Sequence, residues 1–102
     1  MTKAVALNSK IRYNMSNETA ERATPTLLRA DGYRFFFFSD KHLPKHVHIE
    51  KSEKYLRIEL ETLKVTDNYH MTSKEIREAT RIVEKHKQNF LEAWNEYFNQ
   101  QD

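Results

Sequence analysis

The chain has 102 residues, with 17 Lys and Arg against 15 Asp and Glu, and no cysteine. That length suffices for one modest hydrophobic core, and the missing thiol excludes disulfides, thiolate metal sites and a cysteine nucleophile. The apolar patch Ala4 to Leu7 is too short for a signal peptide or a membrane span and no long apolar run follows, so the sequence predicts a cytoplasmic protein.

The formal charge of +2 is spread unevenly. Residues 1–58 carry 11 basic against 6 acidic side chains, and residues 59–102 carry 6 against 9. The basic first half suits a polyanionic partner, although ordinary solvated charge accounts for the same asymmetry.

Residues 1–24 read as an N-terminal arm, flexible or partner-binding. Within it Val5, Leu7, Ile11, Tyr13 and Met15 all fall on odd positions, the period of a strand that adds to a partner's sheet edge. Residues 25–102 read as a single domain. "TLLRA" and "YRFFFF" flank Asp31-Gly32, and a tight turn of positive φ at both central residues predicts a hairpin there. "HVHIEK" and "YLRIEL" predict a second hairpin around Ser52-Glu53-Lys54, and "TLKVTDNY" a short further strand. Thr72-Ser73-Lys74-Glu75 has the form of a capping box. Beyond it Ile76, Ala79, Val83, His86, Phe90, Trp94 and Tyr97 recur every three or four residues, one helical face reaching about residue 99, straight or broken near "HKQN". Phe90, Trp94 and Phe98 are expected to pack on the sheet. The fold class is therefore α+β: a small antiparallel sheet of three to five strands packed by one long or broken C-terminal helix.

Three of the five histidines, His42, His46 and His48, stand within "KHLPKHVHIEK". Alternation along a strand puts His46, His48 and Glu50 on one face and Val47 and Ile49 on the other. The next strand sorts Leu56, Ile58 and Leu60 from Tyr55, Arg57 and Glu59. With the apolar sets in the core, the polar sets become neighbours on an accessible outer face. Three readings of that patch compete. His42, His46 and His48 could ligate a divalent metal, as H-x-H on a strand directs two imidazoles to one side. Alternatively, His46 and His48 transfer protons in metal-free RNA cleavage, with Arg57 and Arg34 as phosphate clamps, Tyr55 positioning or stacking, and His42, Lys45 and Lys51 binding substrate. In the third, the histidines merely hydrogen-bond locally.

The run "PTLLRADGYRFFFFSDKHLPKHVHIEK", the following "NY" and the closing "LEAWNEYF" resemble the bacterial domain-of-unknown-function family 4160, from Pro25 to about Phe98. Gly32, Arg34, Phe36, Ser39, His42, Pro44, His46, His48, Asn68 and Trp94 match its pattern, with a basic residue expected near Arg57. Lys45 replaces a second proline and His70 a glycine. The resemblance implies a small cytoplasmic protein encoded beside another small protein, in the manner of a type II toxin–antitoxin pair. The reading is thus a toxin-like ribonuclease without a resident cofactor. Its partners would be a cognate antitoxin or neighbouring small protein and RNA or the ribosome, not a membrane, with a homodimer allowed. The alternatives are a non-enzymatic module that binds nucleic acid or protein, and a metal-dependent hydrolase using His42, His46 and His48.

Overall fold

A computed structural model describes residues 26–39 and 42–99. The expected N-terminal arm lies outside the described residues. Five strands follow one another, β1 (Thr26–Ala30), β2 (Tyr33–Phe36), β3 (His46–Lys51), β4 (Lys54–Glu59) and β5 (Val65–Tyr69), then helices α1 (Ser73–Lys85) and α2 (Lys87–Asn99). The strands pair in chain order as one antiparallel sheet. The fold is α+β, as its sequence pattern predicts.

Turn chemistry accounts for the order. Asp31 and Gly32 both take positive φ, 55° and 86°, the backbone that a two-residue hairpin needs. The second hairpin turns at Ser52-Glu53, with Ser52 at φ 56°, and Lys54 already paired to Lys51. His70 adopts φ 70° between β5 and α1, so this position keeps a glycine-like conformation although it carries a side chain. Asn68 braces the same turn: its Oδ1 accepts from the Met71 N–H at 3.0 Å.

The capping box forms as expected. The Thr72 hydroxyl accepts from the Glu75 N–H at 3.1 Å, and the Glu75 carboxylate accepts from the Thr72 N–H at 2.9 Å. The same carboxylate takes Lys54 Nζ at 2.9 Å, tying the helix start to β4. The Lys54 hydrogen bond, followed by the Thr72 N–H, holds the Glu75 carboxyl down at about 2. The helical face runs to Asn99 but breaks at His86, whose φ of −106° and ψ of 15° leave the helical region.

Both helices cover one sheet face. Val47, Ile49, Leu56, Ile58 and Leu60 are fully buried there with Ala79, Val83 and Phe90. Phe35 meets Phe90 at 5.9 Å between centroids, and Phe37 meets Trp94 edge-on at 5.3 Å and Phe98 at 5.9 Å. The aromatic stripe of α2 is thus core. Tyr33, also buried, donates its hydroxyl to the Glu78 carboxylate at 2.8 Å, and burial followed by that carboxylate raises its pKa. The opposite sheet face carries His46 and His48. Among the described residues no helix is long and apolar enough to cross a membrane.

Gly32 is the test of the first hairpin. Its φ of 86° is strained for any residue with a Cβ, and a Cβ built there would meet Lys51 Cε at 3.4 Å, an ordinary contact. Gly32→Ala should therefore lose about 1–2 kcal/mol from the backbone alone, read as a lower urea midpoint with unchanged slope.

Candidate active site on the outer sheet face

The register of β3 and β4 is the one alternation predicts: His46 opposes Glu59, His48 opposes Arg57, and Glu50 opposes Tyr55. These side chains do not form one patch. They divide into a cleft around His46, a buried aromatic stack around His48 and an ion pair at Arg34.

The cleft encloses about 260 Å³ and is lined by His42, Leu43, Pro44, His46, Arg57, Glu59 and Thr66. His46 Nδ1 lies 2.8 Å from the Pro44 carbonyl oxygen. A carbonyl can only accept, so Nδ1 carries the proton and Nε2 is left as the basic nitrogen of the neutral ring. Burial lowers the His46 pKa below 6.5, the Pro44 contact opposes that shift, and the Arg57 charge adds to it. At neutral pH the imidazole is therefore a free base.

Arg57 is oriented by a feature that alternation does not forecast. Between the pairs Arg57–Asp67 and Ile58–Val65, residue Thr66 has no partner across the ladder, a bulge in β5. The extra residue turns the Thr66 hydroxyl to the Arg57 side, where it accepts from Nε at 2.8 Å. Opposite, the Glu59 carboxylate accepts from the Thr62 hydroxyl at 2.8 Å. The cleft thus combines a neutral imidazole, a braced guanidinium, a fixed carboxylate and the exposed His42. Thr66 is the residue that reading the sequence missed. A bulge adds one residue without altering composition, so no sequence signal marks it.

His48 was expected on the accessible side, and here the expectation fails. It sits on the outer face but is only 2% exposed. Phe38 lies face to face on its ring, with centroids 3.9 Å apart and planes 28° apart. Phe36 and Tyr55 flank it at 5.5 and 5.8 Å, and the His46 ring approaches edge-on at 4.8 Å. Its Nδ1 is 2.6 Å from the Tyr55 hydroxyl, a contact that suits either tautomer, while Nε2 is buried with no hydrogen-bond partner. Burial, then the charges of His46 and Arg57, lower its pKa to about 3. The physical reason for the failure is the run Phe35–Phe38: alternation sends Phe35 and Phe37 into the core and Phe36 and Phe38 over the histidine.

Tyr55 is half-buried against His48 and lines no part of the cleft, and burial raises the pKa of its phenol. Arg34, expected as a second phosphate clamp, also stands apart from the cleft. Its Nη1 pairs with the Glu50 carboxylate at 2.9 Å, its Nε donates to the Thr26 hydroxyl at 2.8 Å, and its guanidinium lies 4.2 Å from the Phe36 ring centre. Lys51 is on the wrong face for a substrate contact. It has the parity of Val47 and Ile49, and its Nζ lies over the Tyr33 ring at 4.5 Å. Lys45 directly precedes β3, and its carbonyl accepts from the Leu60 N–H at 2.9 Å.

The metal reading is not supported by the donor arrangement. Among the described residues no three His, Asp or Glu side chains are grouped to hold an ion. His46 has one nitrogen on a carbonyl, and both His48 nitrogens are turned into the stack.

A family model described as "Domain of unknown function (DUF4160)" matches residues 32–95, almost two-thirds of the chain. No curated protein and no solved structure matches.

Neutral burial of His48 predicts a pH effect on stability. The unfolded chain protonates this imidazole near 6.5 and the folded protein only at about 3, so the unfolded state binds more protons as pH falls between those values. His48 then costs up to about 1.4 kcal/mol of stability per pH unit on descending below about 6. Urea unfolding at stepped pH from 7 to 5 should show the loss in wild type and a shallower one in His48→Phe, which keeps the stack but cannot titrate.

Proposed function

The chain belongs to the DUF4160 family, and since that membership carries no reaction, we propose from the outer-face cleft that it is a toxin-like endoribonuclease acting without a metal. One observation carries the reading: His46, with Nε2 as its basic nitrogen, shares a cleft with Arg57 and His42. Phosphodiester cleavage of RNA needs a base, an acid and a positive group at the phosphate. RNA supplies the nucleophile itself.

In the proposed reaction, His46 Nε2 takes the proton of a 2′-hydroxyl, and the 2′-oxygen forms a bond to the adjacent phosphorus. The bond from phosphorus to the 5′-oxygen breaks, leaving a 2′,3′-cyclic phosphate. His42 delivers a proton to the departing 5′-oxygen. Arg57, braced at Nε by Thr66, stabilises charge on the equatorial phosphate oxygens. Glu59, across the ladder from His46, steadies the imidazolium as it forms. His48 has no part in proton transfer, because an imidazole held near a pKa of 3 cannot carry a proton at neutral pH. Restraint by an antitoxin rests on the family resemblance, whereas the chemistry rests on the cleft.

Purified protein incubated with total RNA, and with ribosomes, is the test, alongside growth after induction in a bacterial host. His46→Ala should lower cleavage by about a hundredfold or more, and Arg57→Ala by a similar factor. Lys51→Ala, whose side chain lies on the other sheet face, should leave cleavage largely unchanged. The acid limb of kcat/KM should fall below pH 6.5, because the lowered His46 pKa keeps the base unprotonated there. Wild type that degrades no RNA under any of these conditions overturns the proposal. Growth arrest that survives His46→Ala points instead to a non-enzymatic binding module.

A further inference from the structure

Phe38 has an arrangement that core packing does not require. It is 43% exposed, one of the few large apolar side chains open to solvent among the described residues, yet its ring is held flat on His48 at 3.9 Å. The support is itself rigid. His48 is buried, hydrogen-bonded to Tyr55 and flanked by Phe36, so the ring above it has a defined plane. The ring lies on the sheet face opposite the core, with one side on His48 and 43% of the residue open to solvent among the described residues.

We propose that Phe38 is the stacking platform for one nucleobase of a single-stranded RNA whose scissile phosphate occupies the His46–Arg57 cleft, and that His48 is the positioning residue that holds the platform flat. The inference rests on the ribonuclease reading and supplies its substrate class. Continuity between the two places favours a nucleotide over an apolar protein partner. His46 lines the cleft and also touches the stack, 4.8 Å from His48, so a phosphate on Arg57 leaves the attached nucleoside beside Phe38. The braced guanidinium complements the phosphate and the flat phenyl ring complements the base. This gives the buried, proton-poor His48 a role: a neutral ring can lie under a phenyl face without desolvating a charge. Stacking reads a π-face that every base has, so the platform accepts any base and confers single-strand preference.

The test measures binding apart from cleavage by using short single-stranded 2′-deoxyoligonucleotides of mixed sequence, which lack the nucleophile. Phe38→Ala should weaken wild-type affinity roughly 5- to 150-fold, and Phe38→Trp should restore it. Placing an abasic residue at each position in turn should reveal one where wild type and Phe38→Ala bind alike. There the base, and with it the stack, is absent. His48→Ala should reproduce the loss, and His48→Phe, which keeps a flat ring beneath, should not. Equal binding of all oligonucleotides by wild type and Phe38→Ala, a loss that persists with every abasic position, or no binding at all overturns the platform. RNA cleavage with no dependence on Phe38 leaves the nuclease standing without it, and base-dependent binding without cleavage leaves the platform standing without the nuclease.

Discussion

Everything on the outer face depends on the antiparallel register that sets Phe36 opposite His48 and His48 opposite Arg57. A sheet covered by helices on one side commits alternate residues to that side, and each strand has to agree with its neighbours about which. The three central strands agree because Phe35 of β2, Val47 and Ile49 of β3, and Leu56 and Ile58 of β4 all enter one core beneath α1 and α2. Slipping β4 by one residue would bury Arg57 and expose Ile58. The apolar core therefore fixes the address of each polar side chain on the far face.

That face holds two different environments a few ångströms apart. Around His48, four aromatic residues exclude water, and the imidazole remains neutral with one nitrogen unpartnered. Around His46, the chain opens into a cleft where a guanidinium, a carboxylate and a second imidazole meet solvent. Identical residue types, two positions apart on the same strand, are separated in chemistry by what lies on top of them. Phe38 covers one, whereas the other is held by the Pro44 carbonyl and lies beside the Trp94 ring, 5.4 Å between centroids, with the cleft open before it. A strained or unsatisfied group is expected where function outranks packing, and the buried Nε2 is such a group.

Family membership adds a boundary to this picture and no reaction. The matched residues 32–95 run from the first hairpin turn into α2, covering the stack, the cleft and most of the core. Within that span Gly32, Asn68 and Trp94 serve turns and packing, while His42 and His46 line the cleft. Arg34, in the same span, is held by Glu50 and Thr26 beside Phe36, which makes it a structural support of the stack's outer edge.

By itself the sequence determined the α+β class, both hairpins, the capping box, the register of β3 and β4, and the placing of His46, Arg57 and Glu59 on one face. These follow from periods of two and of three to four residues and from turn residues, which are local properties readable along the chain. The parity of Lys51 was legible in the same way, and assigning it to substrate overlooked it. Only the tertiary structure decided which residues share a cleft. Whether His48 is wet depends on where the segment that leaves β2 lays Phe38. Arg57 is aimed by a bulge that inserts Thr66, and Arg34 is taken up by Glu50 at the other end of β3 from the cleft. Each of these is a relation between strands distant in sequence, set by three-dimensional packing, and alternation fixes the face a side chain occupies without fixing what covers it.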